Sequence, residues 1–215
     1  MRFISKFPLA AFTAIFLSQS AAAQYCADPT ANPCLQAKQQ NPLNAYVISV
    51  YGPSACDDEI NTAATTWTAA GSKFELADYS YSGDYYRVVG TSGFQILFNT
   101  ASEMGAYGVD NAVTYYGRSV AGWTRSDGVV IPVVDDADTI VNLDRYNAGT
   151  IECSPTVYTT KYDLTRTMAH EFGHAVGLNH NTITACATYK QGQYVAFSTL
   201  CPAEKTASVT LYGVK

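Results

Sequence analysis

Histidine is scarce in this chain, which has three in 215 residues. No GxSxG pentapeptide occurs, and no histidine is spare for a separate serine, so an independent Ser-His hydrolase site is excluded. The six cysteines include no CxxC pair, which argues against a cysteine-ligated structural zinc. Cations are few as well. Lys and Arg total 13 against 18 Asp and Glu, for a formal charge of −5. An acidic, lysine-poor chain is a poor partner for nucleic acid or an anionic membrane. That balance reads instead as solubility outside the cell. After the N-terminal segment, no stretch is long and apolar enough to cross a bilayer. Methionine is rare, and the last one is Met168.

What is present begins with an export signal. Arg2 and Lys6 open the chain, residues 7–17 are an apolar run, and Ala21, Ala22 and Ala23 offer small residues for cleavage. This pattern predicts a secretory signal peptide over residues 1–23, too short for a membrane span. The mature chain is then expected to begin near Gln24, with a charge of −7 once Arg2 and Lys6 are gone. The remainder is one domain's worth of chain, expected to be soluble, extracellular and monomeric. Cys26, Cys34, Cys56, Cys153, Cys186 and Cys201 all follow the signal, so three disulfides are expected among fifteen pairings. Sequence proximity favours Cys26–Cys34 and Cys186–Cys201, which leaves Cys56–Cys153.

All three histidines fall within residues 170–180, which read HEFGHAVGLNH. His170 and His174 are four apart, so on a helix they lie one above the other on one face. Two imidazoles at that spacing can reach one tetrahedral zinc. Glu171 points off that face by roughly a third of a turn, at about 3.6 residues per turn. Its carboxylate is thereby expected beside the metal's open position as a catalytic general base and not as a ligand. Gly177 ends the helix, since glycine enters the left-handed conformation without a Cβ penalty. His180 can then swing back as a third nitrogen. Three ligands, one open position and one base make the layout of a catalytic zinc.

The stretch resembles the zinc signature HExxHxxGxxH of the metzincin metallopeptidases, and its surroundings are most similar to the matrixin-like branch. Residues 56–76, with Ile60, Ala64, Trp67 and Phe74, are similar to the first helix and following strand of that domain. Residues 138–142 are similar to the strand before the active-site region, and residues 211–213 to the close of the last helix. The resemblance covers residues 43–215 and implies an α+β, zincin-like fold. In it a twisted mixed sheet packs on the active-site helix and a second long helix, and a small C-terminal part ends in a final helix. It implies a zinc endopeptidase acting on protein or peptide substrates. A catalytically inactive binding protein on the same scaffold is the alternative. One departure stands out: Thr188, before Tyr189, falls where matrixins carry the methionine beneath the zinc.

Along the rest of the chain, residues 24–42 read as an N-terminal arm with Pro29, Pro33 and Pro42. Residues 43–51 predict a first strand and 57–70 a helix with Ile60, Ala63, Ala64 and Trp67 on one side. Strands are predicted over 73–76, 85–89, 94–99, 119–125, 129–134 and 139–143, with 101–118 as a Gly- and Tyr-rich loop. If the domain is matrixin-like, a rim strand would pair with an extended substrate, and residues 119–125 are the candidate. Asp135, Asp136 and Asp138 offer oxygen ligands of the kind calcium takes, although three acids without EF-hand spacing equally form a solvated loop. Residues 159–178 predict the active-site helix, capped by Asp163 or Thr165, with Leu164, Met168, Phe172 and Val176 on its apolar row. Residues 202–213 predict a final helix, with proline at its start and glycine at its end.

Overall fold

The structure, a computed structural model, describes residues 35, 38–39, 46–81, 94–116, 119–124, 128, 130–134, 137–189, 194, 196–197 and 199–215. The predicted signal peptide, Cys26, Cys34 and the strand expected over 85–89 lie outside the described residues. In chain order the elements are β1 (Lys38–Gln39), β2 (Tyr46–Tyr51), α1 (Asp57–Thr68), β3 (Leu76–Tyr81), β4 (Phe94–Asn99), α2 (Ala101–Met104) and β5 (Ala112–Tyr116). Then follow β6 (Ser119–Thr124), β7 (Val130–Val134), β8 (Ala137–Asn142), α3 (Leu143–Asn147), β9 (Ile151–Glu152), β10 (Tyr162–Asp163), α4 (Leu164–Val176) and α5 (Pro202–Tyr212). The fold is mixed α+β, as the resemblance implies.

The main sheet has five strands in the order β3-β2-β4-β8-β5. Its first four strands are parallel, and β5 closes one edge antiparallel to β8, with Val113 opposite Ile140. A second sheet, β1-β7-β6, carries the end of the arm as a strand parallel to β7. β4 shows why its sequence reads as a nearly unbroken apolar run. Phe94, Ile96 and Phe98 join the main core on one face, while Leu97 packs with Met104, Val113 and Ile140 on the other. A strand covered on both faces has no polar side to show.

Helices α1 and α4 pack against each other over the main core. The predicted stripe of α1, Ile60, Ala63, Ala64 and Trp67, is buried throughout, and so is the α4 row of Leu164, Met168, Phe172 and Val176. Acidic Asp57, Asp58 and Glu59 fill the first turn of α1, where the helix dipole favours them. One polar clamp joins the two helices inside the apolar layer: Trp67 Nε1 donates to the Ala169 carbonyl at 2.8 Å. Disulfides Cys186–Cys201, which sequence proximity favours, and Cys56–Cys153, the pair left over, are both formed. Among the described residues, no helix is long and apolar enough to cross a membrane.

Three elements differ from their sequence reading, the first being the strand expected over 73–76, which runs instead over Leu76–Tyr81. The helix expected over 159–178 begins at Leu164 and not at residue 159, because Tyr162–Asp163 is used as a strand paired with β9. The expected loop 101–118 contains α2 and the edge strand β5, which the glycines at 105, 108 and 117 mask in the sequence.

The Trp67 clamp yields a stability prediction. Trp67→Phe removes the indole donor and part of the ring volume, and should lower the unfolding free energy by about 1–3 kcal/mol. Urea denaturation followed by fluorescence or circular dichroism measures this. A variant as stable as the parent would show that the clamp does not hold α1 on α4.

Candidate metal centre

The site is built on α4 and the turn that ends it. Asp163 caps the helix, its Oδ1 accepting from the Thr165 amide at 3.0 Å, so Thr165 is not the cap. At the other end Gly177 takes φ 106°, the left-handed conformation. Leu178 N then donates back to the Gly173 carbonyl at 2.9 Å and Gly177 N to the His174 carbonyl at 2.7 Å, the paired bonds of a Schellman closure. The chain reverses there and returns His180 to the face that carries His170 and His174.

The three rings converge. Their Nε2 atoms lie 3.1 Å (His170–His174), 3.2 Å (His174–His180) and 3.1 Å (His170–His180) apart. His170 Nδ1 donates to the Ala187 carbonyl at 2.9 Å and His174 Nδ1 to the Leu178 carbonyl at 2.8 Å. A carbonyl oxygen only accepts, so each of these nitrogens carries the proton and each Nε2 presents a bare lone pair. Two lone pairs facing each other at 3.1 Å repel, unless a cation lies between them. Nitrogens at 2.0–2.1 Å from a tetrahedral zinc sit about 3.3 Å apart, so the observed triangle matches one shared ion. The three rings can therefore hold a metal ion.

The local environment keeps His170 and His174 neutral. Burial first, then the neighbouring imidazoles, lowers His170 well below its ordinary value, and lowers His174 to about 4. Glu171 moves the other way. Burial raises its carboxyl to about 7, opposed by a hydrogen bond from Thr114 and reinforced by the charge of Asp110. Thr114 Oγ1 lies 2.8 Å from Glu171 Oε2 and 3.0 Å from the Glu171 carbonyl. Two residues along the same strand, the Tyr116 hydroxyl donates to the His174 carbonyl at 2.6 Å. Alternate positions of β5 thus fasten α4 at the turn bearing two of the histidines.

Thr114 and Tyr116 were not singled out from the sequence, because the strand that carries them reads as loop. Their spacing of two, in a β-branched and aromatic run, is the signal that identifies them. β5 is bonded to α4 beside the site, while Ser119–Thr124 of the rim candidate pairs with β7 in the second sheet and Arg125 lies outside the described residues. The calcium grouping is not supported by Asp138, which is buried in the main sheet with Oδ1 accepting from the Gln95 amide at 3.1 Å. Asp135 and Asp136 lie outside the described residues.

Thr188 forms the floor. It is fully buried, and its amide and hydroxyl both donate to Glu204 Oε1, at 2.7 and 2.9 Å. Its methyl group fills the space above Gly173, where any Cβ would overlap it. Polar anchoring by Glu204 and apolar contact with Gly173 thus meet at Thr188. Compared with protein-family models and with curated protein sequences, the chain matches none.

Two predictions follow from this packing. Gly173→Ala should gain up to about 1 kcal/mol in helix propensity, but its methyl would overlap Thr188 Cγ2 and stand 3.0 Å from Trp67 Cζ2. Overpacking of this kind costs about 1–3 kcal/mol, so the variant should melt lower and bind metal more weakly. A higher melting temperature with unchanged binding would refute the tight floor. The second concerns the metal-free chain. His170 and His174 have folded values below the unfolded one of 6.5, so their contribution is complete above about pH 6.5 and is lost as pH falls towards about 4. Glu171, raised to about 7 from 4.5, contributes in the opposite sense, but one carboxyl is outweighed by two imidazoles. Chelator-treated protein should melt at a lower temperature at pH 5 than at pH 6.5, and a His170→Gln/His174→Gln double variant should reduce that drop. A drop unchanged by the double variant would assign it to other groups.

Proposed function

We propose that this chain is an exported zinc-dependent endopeptidase of the metzincin, matrixin-like type, hydrolysing peptide bonds in protein or peptide substrates. The observation that carries the reading is the triangle of Nε2 atoms, with Glu171 one residue from the first of these histidines on the same helix. His170, His174 and His180 would hold the ion. When bound there, zinc supplies Lewis acidity, making water ionisable near neutral pH and polarising a carbonyl.

The chain's own residues supply the rest. Glu171, with a carboxyl raised to about 7, can take a proton from water at neutral pH and return it to the leaving amine. Thr114 holds one oxygen of that carboxyl, and among the described residues it is the only donor to it. Strand β5 ends the main sheet, and an extended peptide would add to its outer edge through main-chain hydrogen bonds. Two disulfides and an acidic charge suit an extracellular setting.

The test is digestion of casein by the mature chain with and without a chelator, alongside Glu171→Gln. Chelation should abolish cleavage and added zinc should restore it. Glu171→Gln should keep its zinc but lose about 10²–10⁴-fold in kcat/KM. Chelator-insensitive digestion, or a Gln variant as fast as the parent, would refute the proposal. Zinc uptake with no cleavage of any peptide would favour the binding-protein alternative.

A further inference from the structure

A single peptide group connects the metal site to a carboxylate beneath it. The carbonyl of Ala187 accepts from His170 Nδ1 at 2.9 Å, and the N–H of the same peptide, belonging to Thr188, donates to Glu204 Oε1 at 2.7 Å. A trans peptide points its C=O and N–H in opposite directions, so ring and carboxylate lie at its two ends. We infer that Glu204 is a positioning residue for the metal site, acting on His170 through the Ala187–Thr188 peptide. The inference rests on the three histidines being a metal site.

Hydrogen bonds in series polarise one another. A carboxylate pulling on the Thr188 amide makes the Ala187 oxygen a stronger acceptor. That holds His170 in its Nδ1–H tautomer, fixes the ring's orientation and raises the basicity of Nε2. Metal-ligating histidines commonly receive this support from a carboxylate or a backbone carbonyl directly. Here the two are joined in sequence.

The surroundings of Glu204 go beyond what a helix cap needs. Glu204 is the third residue of α5, and its Oε2 accepts from the Cys201 amide at 3.1 Å, closing a capping box. Glutamine serves that role equally well. Yet Glu204 is 0% exposed, and a buried carboxylate is costly unless its partners compensate. The compensation comes from the site's floor. Oε1 takes both donors of Thr188, and Thr188 Oγ1 in turn accepts from Asn181 Nδ2 at 2.6 Å. The guanidinium of Arg166, on the active-site helix, lies within electrostatic reach. Disulfide Cys186–Cys201 joins the floor loop to the start of α5 and keeps carboxylate and loop together.

Zinc affinity measured by competition with a chromophoric chelator tests the relay. Glu204→Gln keeps the side chain's shape but removes the charge, and should weaken zinc binding about 10-fold or more. Asn181→Ala loosens the same loop through Thr188 Oγ1 but leaves the Thr188 amide on Glu204, and should weaken zinc binding less than Glu204→Gln does. Equal losses in the two variants, or an affinity in Glu204→Gln equal to the parent's, would overturn the inference. A second readout needs no variant: on adding zinc, the Thr188 amide proton resonance of the parent should move downfield as the serial bonds strengthen. A resonance that stays put or moves upfield would overturn it. A parent chain that takes up no zinc would overturn this inference and the metal reading together, whereas zinc uptake with an indifferent Glu204 sinks the relay alone.

Discussion

Three imidazole nitrogens converge on one point, two of them with bare lone pairs that repel without a cation, and much of the structure around α4 holds them there. Two of the rings have their tautomers set by backbone carbonyls, of Ala187 and Leu178. Those carbonyls belong to the floor loop and to the turn after Gly177. Each is placed by other bonds: Thr188 to Glu204 for the loop, and the paired amide bonds to Gly173 and His174 for the turn. Behind α4 the apolar row from Leu164 to Val176 seats the helix on α1, and Trp67 adds a directional bond inside that layer. The repulsion is therefore borne by the fold as a whole and not by the site alone.

Much of this was legible in the sequence, for reasons of periodicity and chemistry. The spacing of four between His170 and His174, Gly177 after the helix and His180 beyond it brought three nitrogens together as expected. The α1 and α4 stripes were readable because one face of each helix is buried and the other is not. Cys56–Cys153 and Cys186–Cys201 followed from proximity and from the count of six. Nothing in the identity of Thr188 indicated that it would be a buried polar anchor.

What was hidden depends on contacts between distant segments. β5 is short, flanked by glycine, and stabilised by pairing with β8 and by bonds to α4 from Thr114 and Tyr116. Its local composition cannot announce those partners. Glu204 reads as an ordinary capping glutamate, and only its nearness to Thr188, sixteen residues away, shows its other bonds. Asp138 sat in an acidic run that suggested a cation loop, yet the strand turns it inward onto Gln95. In each case a long-range hydrogen bond outranked the local pattern.

The most direct measurement is X-ray absorption at the metal edge on zinc-loaded protein, together with the bound metal's stoichiometry. The account predicts one zinc per chain, three imidazole nitrogens at about 2.0–2.1 Å and one light-atom neighbour in the remaining place. A shell with fewer than three imidazoles, or one containing sulfur, would contradict it.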